Sequence, residues 1–160
     1  MATLRVLAIA AASGRVGYVY LVDAKLKDWR ISGTAARSKS AAAEMTQKWI
    51  NRLKPEIIVT EKAKDAAKKS AATKAIIASI AETAAHNYVL DVSVVRQHGY
   101  VNKYEEAEAL AGRYPEVRNW LPGKRRFFDN EPRNTVLFEA LSLAEQVMRG
   151  PSTALAKAMG

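Results

Sequence analysis

Apolar positions along the chain fall into short blocks with two different rhythms. Residues 4–10 carry Leu4, Val6, Leu7 and Ile9 among alanines, a run that predicts a buried strand, and Ser13 and Gly14 supply the turn after it. Residues 16–22 are rich in β-branched and aromatic side chains, and residues 29–32 follow with alternating polarity across a turn segment at 23–28. The pattern predicts three antiparallel strands at the start of the fold. It then changes to a helical period: over residues 38–54, Ala42, Met45, Trp49, Ile50 and Leu53 share one helix face, and the helix stops against Pro55. Residues 56–60 form the next strand, which a crossover helix places parallel to its neighbour.

Residues 62–86 are alanine-rich, with Ala66, Ala75, Ile76, Ile80 and Ala84 able to line a buried face and several lysines outside, which predicts the longest helix. Residues 89–95 alternate as a fifth strand, and residues 104–113 read as a helix ended by Tyr114 and Pro115. Residues 122–128, punctuated by Pro122 and Gly123, predict an irregular segment. Leu137, Ala140, Leu141, Ala144 and Met148 mark a last helix over residues 134–149, which Gly150 and Pro151 stop. The expectation is one α/β domain over residues 1–150, a mixed five-stranded sheet flanked by helices, with a flexible tail at 151–160.

Composition narrows the chemistry. A chain of 160 residues, 49% hydrophobic and 26% charged, suits a single domain that buries its own core. The absence of cysteine excludes a disulfide framework, a thiolate metal site and a cysteine nucleophile. The apolar N-terminal run is too short to span a bilayer and lacks the flanks of a cleaved signal, so the expected location is the cytoplasm, away from membranes. Against 16 acidic residues stand 25 Lys and Arg, a formal net charge of +9 that draws the chain toward polyanions, nucleic acid first.

Three stretches carry a family resemblance: Val6-Leu7-Ala8-Ile9-Ala10 followed by Ser13-Gly14-Arg15-Val16-Gly17-Tyr18; Ile57-Ile58-Val59-Thr60-Glu61; and Phe138-Glu139-Ala140-Leu141-Ser142-Leu143-Ala144. Across roughly residues 4–148 the chain resembles the Holliday-junction resolvases of the RuvC type, within the ribonuclease H-like superfamily. The resemblance implies metal-dependent cutting of branched or structured DNA by a homodimer. Carboxylates at the ends of the first and fourth strands and on the last helix would hold Mg²⁺ or Mn²⁺, hard ions that take oxygen ligands and that, in pairs about 4 Å apart, activate water and stabilise the departing oxygen.

Glu61 and Glu139 match two of the family's acidic positions and are the implied metal ligands and catalytic residues. Ala10 stands where the pattern has its first-strand aspartate, and Val136 stands one turn before Glu139 where a further acidic or metal-binding residue is common. Glu131, or Asp129, is a replacement ligand if the chain folds back. On one continuous helix Glu131 and Glu139 would lie about 12 Å apart along the axis, too far to share an ion.

Lys62, Lys64, Lys68, Lys69 and Lys74 crowd the first turns of the predicted long helix, and Lys124, Arg125 and Arg126 stand beside Phe127 and Phe128. From these, Lys62, Lys68, Lys69, Lys124, Arg125 and Arg126 are the candidate phosphate contacts. Each group has an ordinary reading as well, a solvated helix face for the lysines and core anchors for the phenylalanines. His86 and His98 have no metal-ligand spacing, and no P-loop or dinucleotide fingerprint is present. The function that the resemblance implies is a RuvC-like nucleic-acid-binding protein, a metal-dependent endonuclease on branched or structured DNA, with an incomplete acidic site. The alternative is a catalytically degenerate domain that binds nucleic acid or assembles with protein.

Overall fold

The computed structural model describes residues 4–66, 68–96, 102–122 and 134–149. The expected sheet is present. Strands β1 (Arg5–Ala12), β2 (Arg15–Val22), β3 (Lys25–Ser32), β4 (Ile57–Glu61) and β5 (Leu90–Val94) lie in the order β3-β2-β1-β4-β5. The pairs β1–β2 and β2–β3 are antiparallel, whereas β1–β4 and β4–β5 are parallel. The β1–β2 turn uses Gly14 at φ 79°, a conformation glycine reaches without strain.

The second hairpin turns more tightly than the pattern predicts. Asp23 and Ala24 both have positive φ, 51° and 67°, the backbone that a two-residue hairpin needs to match strand twist. Strand β3 therefore begins at Lys25, and the expected turn segment at 23–28 shrinks to two residues. Asp23 compensates for its strain in part, because its Oδ1 accepts the Leu4 amide at 2.8 Å.

Helices α1 (Lys39–Leu53) and α2 (Ala71–Ala85) cover one face of the sheet. Ser38 caps α1 by accepting the Ala41 amide, and Lys54, left-handed at φ 49°, ends it before Pro55. Helix α2 is shorter than the alanine content predicts. Residues 62–69 are not its first turns: a 3-10 turn at Ala63–Asp65 precedes the helix, and Ser70 caps it by accepting the Thr73 amide. High alanine propensity is a weak prior beside a good N-cap and the constraints at the end of β4.

Helices α3 (Lys103–Arg113) and α4 (Thr135–Arg149) cover the opposite face. Strand parity sorts the two cores: Val6, Ala8 and Ala10 face α4 with Val19, Val59 and Phe138, while Leu7, Ile9 and Ala11 face α1 and α2 with Tyr18, Trp49 and Ile80. A largely buried ion pair, Arg96 to Glu106, and a second one with an exposed arginine, Arg113 to Glu145, fix α3 against its neighbours, and Ser142 donates to Glu106 at 3.3 Å. Among the described residues no helix is long and apolar enough to cross a membrane.

Candidate functional site

Parallel pairing sets the C-terminal ends of β1 and β4 side by side at one end of the sheet. Glu61 closes β4 on the same face as Ile57 and Val59, the face covered by α4. Glu139 lies in the second turn of α4. The two carboxylates that the sequence singled out therefore converge although they are far apart in the chain, and their side chains are 9% and 12% exposed.

Between them lies an ammonium group. Lys69 Nζ is 2.8 Å from Glu61 Oε1 and 3.0 Å from Glu139 Oε2, and it donates to the Ala11 carbonyl at 2.7 Å. The contact with Glu61 is a close ion pair off the hydrogen-bonding direction, and that buried oxygen has no other donor. Two of the ammonium's three N–H groups donate, to Glu139 and to the Ala11 carbonyl, and Glu61 is held by charge at close range. At 16% exposure its side chain is committed to the carboxylates.

The floor of the site is apolar. Ala10 is 2% exposed and Val136 is 1% exposed, and both belong to the core under α4. Ala10 pairs with Gly17 across β1 and β2, and Gly17 lets α4 come close: a Cβ there would meet Val136 Cγ1 at 3.0 Å and the Val136 carbonyl carbon and oxygen at 3.3 Å. Among the described residues the donor set does not fit a pair of hard divalent ions. Two carboxylates already share a lysine, the neighbouring positions are alanine and valine, and among the described residues no group of three His, Asp or Glu could hold a metal ion.

Around this pair, Lys62, Lys64 and Lys68 are exposed on the segment that leaves β4 and returns Lys69 to the carboxylates. The Lys62 amide donates to the Val94 carbonyl at 2.8 Å, which extends the β4–β5 ladder one step past Glu61. Lys74 is half-buried within α2. His86 ends α2 with its ring nitrogen Nδ1 2.7 Å from the Glu82 carbonyl; Leu90 soon afterwards bonds to Glu56 at the start of β4, so this histidine is at the far end of the sheet. Glu131, Asp129, Lys124, Arg125, Arg126, Phe127, Phe128 and His98 lie outside the described residues.

Two features escaped the sequence reading. Lys69 looked like one lysine among several on a helix, and only the irregular path before Ser70 directs it inward. Gly17 carried no recognisable signal beyond its place in a resembling stretch, yet it sets how closely α4 approaches the strands.

Sheet order, strand directions and helix placement make this a ribonuclease H-like fold of the RuvC type. It is similar to a Thermus thermophilus RuvC structure, with a TM-score of 0.61 at 16% identity over 92% of this chain and 97% of that one. It is similar also to T. thermophilus RuvC in complex with Holliday junction substrate, with a TM-score of 0.63 at 16% identity over 94% of this chain and 98% of that one. No protein-family model and no curated protein sequence matches the chain.

Proposed function

We propose that this chain is a RuvC-like DNA-binding protein that holds branched DNA at the carboxylate end of its sheet and does not cut it by a two-metal route. The observation that carries the reading is the filled site: Lys69 bridges Glu61 and Glu139 above a floor of Ala10 and Val136. Its basic character supports the DNA part. Lys62, Lys64 and Lys68 are exposed around the bridged carboxylates, and the formal net charge of +9 supplies an attractive field. Lys124, Arg125 and Arg126 extend the proposed phosphate contacts. The RuvC structure that binds a Holliday junction has the same fold, which favours a four-way junction over plain duplex as the ligand. A homodimer acting in the cytoplasm goes with this reading, since a junction offers two equivalent faces.

Labelled duplex, single-stranded and four-way-junction DNA, each with Mg²⁺, Mn²⁺ or EDTA, test it by gel shift and by cleavage. Salt-sensitive binding that persists in EDTA, strongest for the junction and without cleavage, is the expected result. Divalent-dependent cutting that disappears in Glu61→Gln/Glu139→Gln would replace this reading with an active nuclease, completed by Glu131 and Mg²⁺ or Mn²⁺. Failure to bind any DNA at low salt would point to protein assembly instead.

A further inference from the structure

We infer that Lys69 is the resident cation of this site: its ammonium holds the position between Glu61 and Glu139 where a divalent ion would bind, and it closes the site to such ions. The inference deepens the proposed function, but its metal-binding readouts need no DNA. A reader of the composition would expect a lysine in this stretch to face solvent. Instead Nζ reaches three oxygens from three separate elements, the Ala11 carbonyl at the end of β1, Glu61 at the end of β4 and Glu139 on α4, at 2.7, 2.8 and 3.0 Å. Those distances are the ordinary separations of a charged ammonium from oxygen partners.

Charge leads to the same assignment. Two carboxylates at 9% and 12% exposure would repel each other and lose solvation if left alone, so the pair needs a cation in place for the fold to close. Lys69 delivers one unit of positive charge covalently, from a position between the 3-10 turn at Ala63–Asp65 and the Ser70 cap. Delivery by the chain costs no free ion and does not vary with ion concentration. The lysine thus ties the ends of β1 and β4 to α4, the task a metal performs where ligands converge from several elements. Alanine at position 10 and valine at position 136 are consistent with this, because a bound ammonium needs fewer oxygens than a divalent ion.

Mn²⁺ titration followed by electron paramagnetic resonance, with thermal melts in EDTA and in Mn²⁺, tests the assignment on the full chain. The wild type should bind no Mn²⁺ at this site at millimolar concentration and should melt at the same temperature in both buffers. Lys69→Met should melt roughly 10 °C lower in EDTA, recover much of that loss in Mn²⁺, and bind one Mn²⁺ at least about tenfold more tightly than wild type. Glu61→Gln/Glu139→Gln/Lys69→Met should bind none, and its melt should not respond to Mn²⁺. If Lys69→Met folds only when Mn²⁺ is present, the ion has replaced the lysine and the assignment stands. Stoichiometric Mn²⁺ binding by wild type that is lost in Glu61→Gln/Glu139→Gln would overturn it. So would a Lys69→Met chain that gains no Mn²⁺ site, whether it folds or fails to fold in either buffer. Absence of DNA binding would sink the proposed function and leave these readouts unchanged.

Discussion

At Gly17 and Val136, α4 lies close against the sheet on which the site is built. A Cβ at position 17 would stand 3.0 Å from Val136 Cγ1 and 3.3 Å from two Val136 backbone atoms, so the side chain has some freedom to yield and the backbone has little. Gly17→Ala should destabilise the fold by about 1–3 kcal/mol, and adding Val136→Ala should recover only part of that loss, both read from urea midpoints. Full recovery would mean that the helix backbone moves freely. Ala10 tests the same floor by charge. It is 2% exposed among apolar neighbours, so Ala10→Asp should cost roughly 3–5 kcal/mol and should produce no DNA cutting while Lys69 remains. Metal-dependent cleavage by Ala10→Asp alone would show that the lysine is displaced easily. At this scale the sequence singled out two carboxylates that the fold brings together, since Glu61 and Glu139 end or occupy recognisable elements. The partner of both stayed hidden: Lys69 and Glu139 are 70 residues apart, and one lysine in an alanine-rich run looks like any other.

Element positions were legible wherever burial sets the period. Apolar and β-branched runs, with alternation at 29–32 and 89–95, located the five strands, and the order strand, crossover helix, strand gave a strand parallel to its neighbour, which is β1. Local chemistry, rather than period, decided the departures. Positive φ at Asp23 and Ala24 shortened a turn, and the Ser70 cap started α2 at Ala71 where composition favoured a start near 62. A further link between elements is predictable from its protonation. Tyr18 on β2 donates to Asp28 on β3 at 2.6 Å, and Arg52 on α1 contacts both groups. Burial, then the hydrogen bond to Asp28, pushes the Tyr18 phenol up from 10.0 to about 12. The unfolded chain loses this proton near pH 10 while the folded chain keeps it, so the contribution is complete below that pH and is lost as pH rises toward 12. Urea unfolding at about pH 9 and about pH 11 should therefore show a smaller loss of stability for Tyr18→Phe than for wild type across that interval. Equal losses would show that Tyr18 ionises alike in both states.

For the whole molecule, the question is whether the charge excess forms a nucleic-acid surface or merely keeps the protein in solution. A formal net charge of +9 attracts any polyanion, so affinity alone separates the two cases poorly. Salt dependence separates them better, because each phosphate neutralised by a fixed side chain releases counterions and steepens the plot of log affinity against log salt by about 0.9. Lys62, Lys64 and Lys68 are exposed on the segment that also carries Lys69, and Lys69 is occupied by the carboxylates. Among the described residues, the three exposed lysines are therefore side chains available to meet phosphates at this end of the sheet. Lys62→Gln/Lys64→Gln/Lys68→Gln should make the slope for junction DNA shallower by about 2 to 3 while leaving the free energy of unfolding in urea within about 0.5 kcal/mol of wild type. Three lysines distributed elsewhere with the same charge should not be equivalent: replacing Lys25, Lys27 and Lys48 should weaken binding slightly through the long-range field and leave the slope almost unchanged. Equal slopes for the two triple variants would mean that the protein presents no fixed DNA surface here, and that its basic charge acts only at a distance.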